Sequence, residues 1–94
     1  MADAIRPYRS TAVFDEVTLP NALCKRHSTK AGVWGVIRVL EGRLRLTYLE
    51  PASEKIIDPD NAGLLLPEQP HFVTPIGPMT MQIDFYDRPP EMAR

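Results

Sequence analysis

His27 and His71 are the only two imidazoles in 94 residues. His71 closes a proline-pinned turn, Leu66-Pro67-Glu68-Gln69-Pro70-His71, and His27 stands just ahead of the run Gly32-Val33-Trp34-Gly35-Val36-Ile37-Arg38-Val39-Leu40-Glu41-Gly42. Neutral imidazole nitrogen is a common ligand for divalent first-row metals, so two of them converging from separate parts of a small barrel would form a shared metal or ligand site. Taken singly, each histidine is better explained as a hydrogen-bonding or surface residue, and only the pair points to a site.

Three neighbouring features bear on that chemistry. Cys24 precedes His27 with Cys-x-x-His spacing, but structural zinc sites usually bring two such pairs. A small buried hydrophobe is the expected role of Cys24. Lys25, Arg26, His27 and Lys30 form the one concentrated positive feature. Beside a metal, that cluster suits a small oxyanion of phosphate or carboxylate type, while the alternative is a solvated face. Trp34 and Phe85 read as core residues, either of which can wall a pocket. The usual catalytic templates fail, because there is no glycine-rich phosphate loop, no G-x-S-x-G elbow and no H-E-x-x-H helix.

The elements that would hold these residues are strands. Ten prolines and five glycines in so short a chain exclude long helices. Strands are expected at Thr11 to Val17, Gly32 to Leu40, Arg43 to Leu49, Glu54 to Ile57, Gly63 to Leu66, Phe72 to Ile76 and Met79 to Tyr86. Glu41-Gly42 and Gly77-Pro78 are expected as turns between successive strands, and Asn21-Ala22-Leu23 as a helical turn. The alternation Met79/Met81/Ile83/Phe85 against Thr80/Gln82/Asp84/Tyr86 places one face in the core and Asp84 on the wet register. Short strands at this spacing predict an all-β sandwich or barrel.

Composition restricts the function classes. With 44% hydrophobic and 24% charged residues the chain is an ordinary globular one. A net charge of −1 argues against a nucleic-acid surface and leaves little repulsion between copies, so a homodimer is expected. No apolar run nears the roughly twenty residues that span a bilayer. The single cysteine and the lack of a hydrophobic leader lead to the expectation of a cytoplasmic protein without membrane or nucleic-acid partners.

Val39-Leu40-Glu41-Gly42, with Leu66 to His71 following Gly63, resembles the two halves of the cupin signature. In cupins a His-x-His group and a glutamate precede a V-L-x-G turn, and a proline-rich turn then delivers another histidine. Over residues 8–87, the run His27 to Gly35, with Pro67 to His71 and Ile83-Asp84-Phe85, is similar to a narrower family. This is the small cupin-like domain associated with tellurite resistance, found alone or ahead of a tellurite-resistance methyltransferase. The resemblance implies one cupin-like domain over residues 1–94, a double-stranded β-helix or jelly roll with an ordered core at 8–87 and a flexible tail at 88–94.

It also implies a site. The metal-ligand set would be His27, Glu68 and His71, suited to zinc, iron, manganese or nickel with positions left open for water or substrate. Asp84 would orient an imidazole from behind, with Trp34 and Arg26 around the pocket. The chain departs from the full cupin pattern where Gly35 takes the glutamate position and Thr29 that of the second histidine. The expected function is binding or processing a small molecule or oxyanion in a tellurite, toxic-anion or redox stress response. A metal-free ligand-binding or interaction module, accessory to a partner enzyme such as a methyltransferase, is the other reading.

Overall fold

The structure, a computed structural model describing residues 5–90, is all-β apart from one short 3-10 turn. In chain order the elements are β1 (Arg9–Ser10), β2 (Phe14–Asp15), the 3-10 turn (Asn21–Cys24), β3 (Trp34–Leu49), β4 (Ala52–Ile57), β5 (Gly63–Leu65) and β6 (His71–Tyr86). They form a single six-stranded antiparallel sheet. Its spine is the pairing of the two 16-residue strands β3 and β6, which runs from Trp34 opposite Tyr86 to Tyr48 opposite His71. The far edge of β3 takes β5 along Gly35 to Ile37 and β4 along Leu44 to Leu49. The far edge of β6 takes β1 and β2.

Both expected turns inside the long strands prove to be irregularities within continuous strands. At Glu41-Gly42 the ladder with β6 shifts register twice, and Gly42 sits at φ +77. The extra residue flips the face turned to the core cluster: Ile37 and Val39 join it before the bulge, Leu44 and Leu46 after it, so the core positions change from odd to even. Both halves of β3 therefore feed one core with Ile57, Leu65, Val73, Met79, Met81 and Ile83. Gly77-Pro78 likewise bends β6 without ending it.

The N-terminal stretch is less loose than its composition suggests. Tyr8 donates its backbone N–H to Phe85 O at 2.9 Å and Thr11 donates to Ile83 O at 2.9 Å, which fixes β1 along β6. Of the expected tail, residues 91–94 lie outside the described residues. Among the described residues no helix is long and apolar enough to cross a membrane.

Candidate functional site

The chain between the 3-10 turn and β3 brings His27 to the start of β6. Lys25 leaves the 3-10 turn in extended backbone, and His27 then forms an antiparallel bridge with His71. The turn that delivers His71 has Pro67 second and Glu68, at φ 60, third, and Gln69 N–H closes it onto Leu66 O at 3.2 Å. That is the residue pattern of a type II turn, whose third position favours glycine. Glu68 tolerates it with its N–H bonded to Thr29 O at 3.1 Å. Thr29 secures the junction further, its hydroxyl donating to Val33 O at 2.7 Å with Leu66 O also 3.2 Å away.

The two imidazoles meet with ring centroids 4.1 Å apart and planes at 62°. His27 Nδ1 lies 2.8 Å from Lys25 O, and His71 Nδ1 lies 2.8 Å from Gln69 O. A carbonyl oxygen only accepts, so each Nδ1 carries the proton and each Nε2 of the neutral ring keeps a lone pair. His71 is 1% exposed and its Nε2 has no hydrogen-bond partner. Burial holds the His71 pKa below the usual 6.5 and the neighbouring His27 lowers it further, against an opposing effect of the Gln69 carbonyl. At neutral pH His71 therefore offers a lone pair, and a partner for it must be a Lewis acid or a hydrogen-bond donor.

Both rings line a cavity of about 300 Å³. Its apolar wall comes from Leu23, Val33, Leu65, Ile83 and Phe85. Its charged lining is Arg9 and Lys30, with no carboxylate. Arg9 is opposite Phe85 in the β1–β6 register and its guanidinium carbon lies 5.0 Å from the centre of that ring, within cation–π range.

The other expected site residues fall elsewhere. Glu68 is exposed and does not line the cavity, because the left-handed turn residue bonds Thr29 through its backbone. Among the described residues no group of three or more His, Cys, Asp or Glu side chains is gathered for a metal ion. Asp84 alternates with the cavity-lining Ile83 and Phe85, so its side chain projects from the opposite face of β6. There it is buried, accepting from Arg38 Nε at 2.6 Å, Arg38 Nη2 at 3.2 Å and Ser10 Oγ at 2.6 Å, and it orients neither imidazole. Trp34 opens β3 opposite Tyr86 away from the cavity lining, and Arg26 is exposed outside it. Cys24 is exposed rather than buried.

Arg9 is the charged cavity residue that the sequence does not point to. Only Tyr8 and Thr11 mark its surroundings as strand-forming, and its partner Phe85 lies near the other end of the chain.

Fold and pocket define a small all-β domain with a two-histidine cavity. The chain matches the model of the TehB-like domain family over residues 9–83 and belongs to that family, the tellurite-resistance-related group its histidine and proline runs resemble. It is similar to TehB from Haemophilus influenzae, whose crystal structure superposes with a TM-score of 0.80 at 27% identity. That match covers 92% of this chain and 32% of the other, so the chain spans about a third of the length of TehB. A crystal structure of a protein from E. coli strain K12 has a TM-score of 0.82 at 21% identity, covering 95% of this chain and 96% of that one, and supports the fold. No curated protein matches the chain.

Proposed function

We propose that this domain holds a divalent metal ion, zinc, iron, manganese or nickel, on Nε2 of His27 and His71. Through this site it binds or processes a small molecule or oxyanion in a tellurite, toxic-anion or redox stress response. The observation that carries the reading is the buried, unpartnered Nε2 of His71, on a ring whose centre lies 4.1 Å from that of His27. A polar atom buried without a partner costs free energy, and a bound ligand removes that cost. The Nδ1–H bonds to Lys25 and Gln69 carbonyls fix tautomer and ring orientation, as the outer contacts of metal-binding histidines do. With two protein ligands, the remaining coordination would come from water or from the molecule bound. A metal there would supply Lewis acidity or an activated water. The cupin resemblance supports the same placement between strands, and homodimerisation and a cytoplasmic setting belong to the same proposal.

The test is elemental mass spectrometry on untagged protein beside His71→Ala. Near-stoichiometric metal that is lost in the variant is expected. A wild type that stays empty after incubation with each candidate ion overturns the metal reading.

Two observations favour a second reading. The domain matches a third of a longer protein, and no third ligand joins the histidines among the described residues. On that reading the pocket serves a metal-free ligand-binding or interaction module, accessory to a partner enzyme such as the methyltransferase implied by the resemblance. Retention of a small molecule by metal-free protein would select it.

A further inference from the structure

We infer that the occupant of the His27–His71 cavity is an organic monoanion, a carboxylate on an apolar body, rather than a bare inorganic oxyanion. The inference rests on the reading of this cavity as a ligand site and deepens it to a ligand class. Three observations converge on that class.

The first is size. At about 300 Å³ the pocket is of the size that takes small organic ligands, whose sites run from roughly 300 Å³ upward. A tellurite or phosphate ion, even with a metal ion beside it, fills only part of that space. The second is the wall. Leu23, Val33, Leu65, Ile83 and Phe85 come from the 3-10 turn, the approach to β3, β5 and β6, and present hydrocarbon to the same space. Hydrocarbon is a poor replacement for the water shell of a small, densely charged oxyanion, whereas an apolar body gains by leaving water.

The third is the placement of charge. Arg9 and Lys30 line the cavity with no carboxylate among the lining residues, and among the described residues neither forms an ion pair. The exposed Arg9 places its guanidinium carbon 5.0 Å from the centre of the Phe85 ring, at the pocket wall. A guanidinium there suits the two oxygens of a carboxylate. The cavity is thus apolar along its wall and cationic at Arg9 and Lys30, where a carboxylate would sit, while the His71 Nε2 lone pair is left to a Lewis acid or a donor group on the ligand body. Predominantly apolar lining with a few placed polar groups is the usual character of organic-ligand pockets.

The experiment titrates benzoate, phenylacetate and hexanoate, and separately tellurite and inorganic phosphate, into the untagged protein. Binding is followed by calorimetry and by backbone amide NMR shifts, with metal content measured on every sample. Saturable binding of at least one carboxylate is expected, with shifts at Leu65, Ile83 and Phe85 and an affinity at least tenfold above that of tellurite and phosphate. Arg9→Gln should weaken that carboxylate at least tenfold with metal content unchanged, and Val33→Thr, close in shape but polar, should weaken it severalfold without affecting tellurite.

Tighter binding of tellurite or phosphate overturns the inference, as does an Arg9→Gln variant with undiminished carboxylate affinity. Metal-loaded protein that binds none of the three carboxylates also overturns it, while leaving the metal reading intact. Carboxylate binding by protein that never takes up metal supports it and removes the metal reading alone.

Discussion

His27 and His71 hold each other by their backbones: His27 N–H donates to His71 O at 3.0 Å, and His71 N–H donates to His27 O at 2.9 Å. The reciprocal pair sets the two side chains on one face of the sheet, independently of anything the imidazoles bind. Removing either ring should therefore leave the bridge in place, and the two variants should separate binding from stability. His27→Ala and His71→Ala are both expected to lose metal by at least an order of magnitude. Only His71→Ala opens a void at a buried position, so it alone should lose stability, by about 1–3 kcal/mol. Urea unfolding beside metal analysis checks this, and equal destabilisation by the two variants would contradict it.

Two buried titratable groups predict two separate acid-sensitive windows in metal-free protein. The folded-state pKa of His71 lies below the ordinary 6.5, chiefly through burial, so between the two values the unfolded chain binds more protons. Its contribution is complete above 6.5, is lost as pH falls through the folded value, and then levels off. For Asp84, burial alone would raise the pKa, but the hydrogen bonds from Arg38 and Ser10 and the Arg38 charge hold it below the usual 3.8. Its contribution persists above 3.8 and is lost only as pH falls through the depressed folded value. Urea midpoints measured in EDTA against pH should show both declines. His71→Gln should abolish the upper one and Asp84→Asn the lower.

Asp84 also illustrates which features were legible in the chain. The alternation from Met79 to Phe85 correctly placed Met79, Met81 and Ile83 in the core. It assigned Asp84 to the wet side, where strand periodicity alone leaves a carboxylate. Arg38 and Ser10 reverse that exposure, and they come from two other strands. The same limit applies to the cavity. Period and turn residues located His27 and His71, whereas Arg9 enters through pairing of a two-residue strand with residues near the other end of the chain. Glu41-Gly42 and Gly77-Pro78 read as chain reversals in the sequence because glycine marks both turns and bulges, and only the partner strand distinguishes them.

Cys24 gives a direct check on the segment leading to His27. The thiol is exposed at the end of the 3-10 turn, next to the cavity-lining Leu23. Folded protein should therefore react with one equivalent of Ellman's reagent without denaturant. Reaction only after unfolding would mean that this segment packs differently and that the Lys25 carbonyl is not positioned to orient His27.

Gly42 and Gly77 provide a matched pair for testing the bulge that aligns the two halves of β3. Both have positive φ, +77 and +71, so alanine strains the backbone at each, by about 1–2 kcal/mol. Their surroundings differ. A Cβ on Gly42 would clash with the Pro78 carbonyl oxygen and come within 2.9 Å of Met79 Cα, whereas a Cβ on Gly77 meets nothing within 4 Å. The two nearest contacts at Gly42 are backbone atoms of the paired strand, so relief requires β3 and β6 to part where the register shifts. Gly42→Ala should therefore cost about 2–4 kcal/mol, clearly more than Gly77→Ala. Beyond the bulge the ladder continues to Tyr48 opposite His71, so separation there also disturbs the strand that carries the imidazole. Ligand or metal binding should weaken in Gly42→Ala and persist in Gly77→Ala under conditions where both remain folded. Equal losses in the two variants would show that the bulge tolerates a side chain and does not set the position of His71.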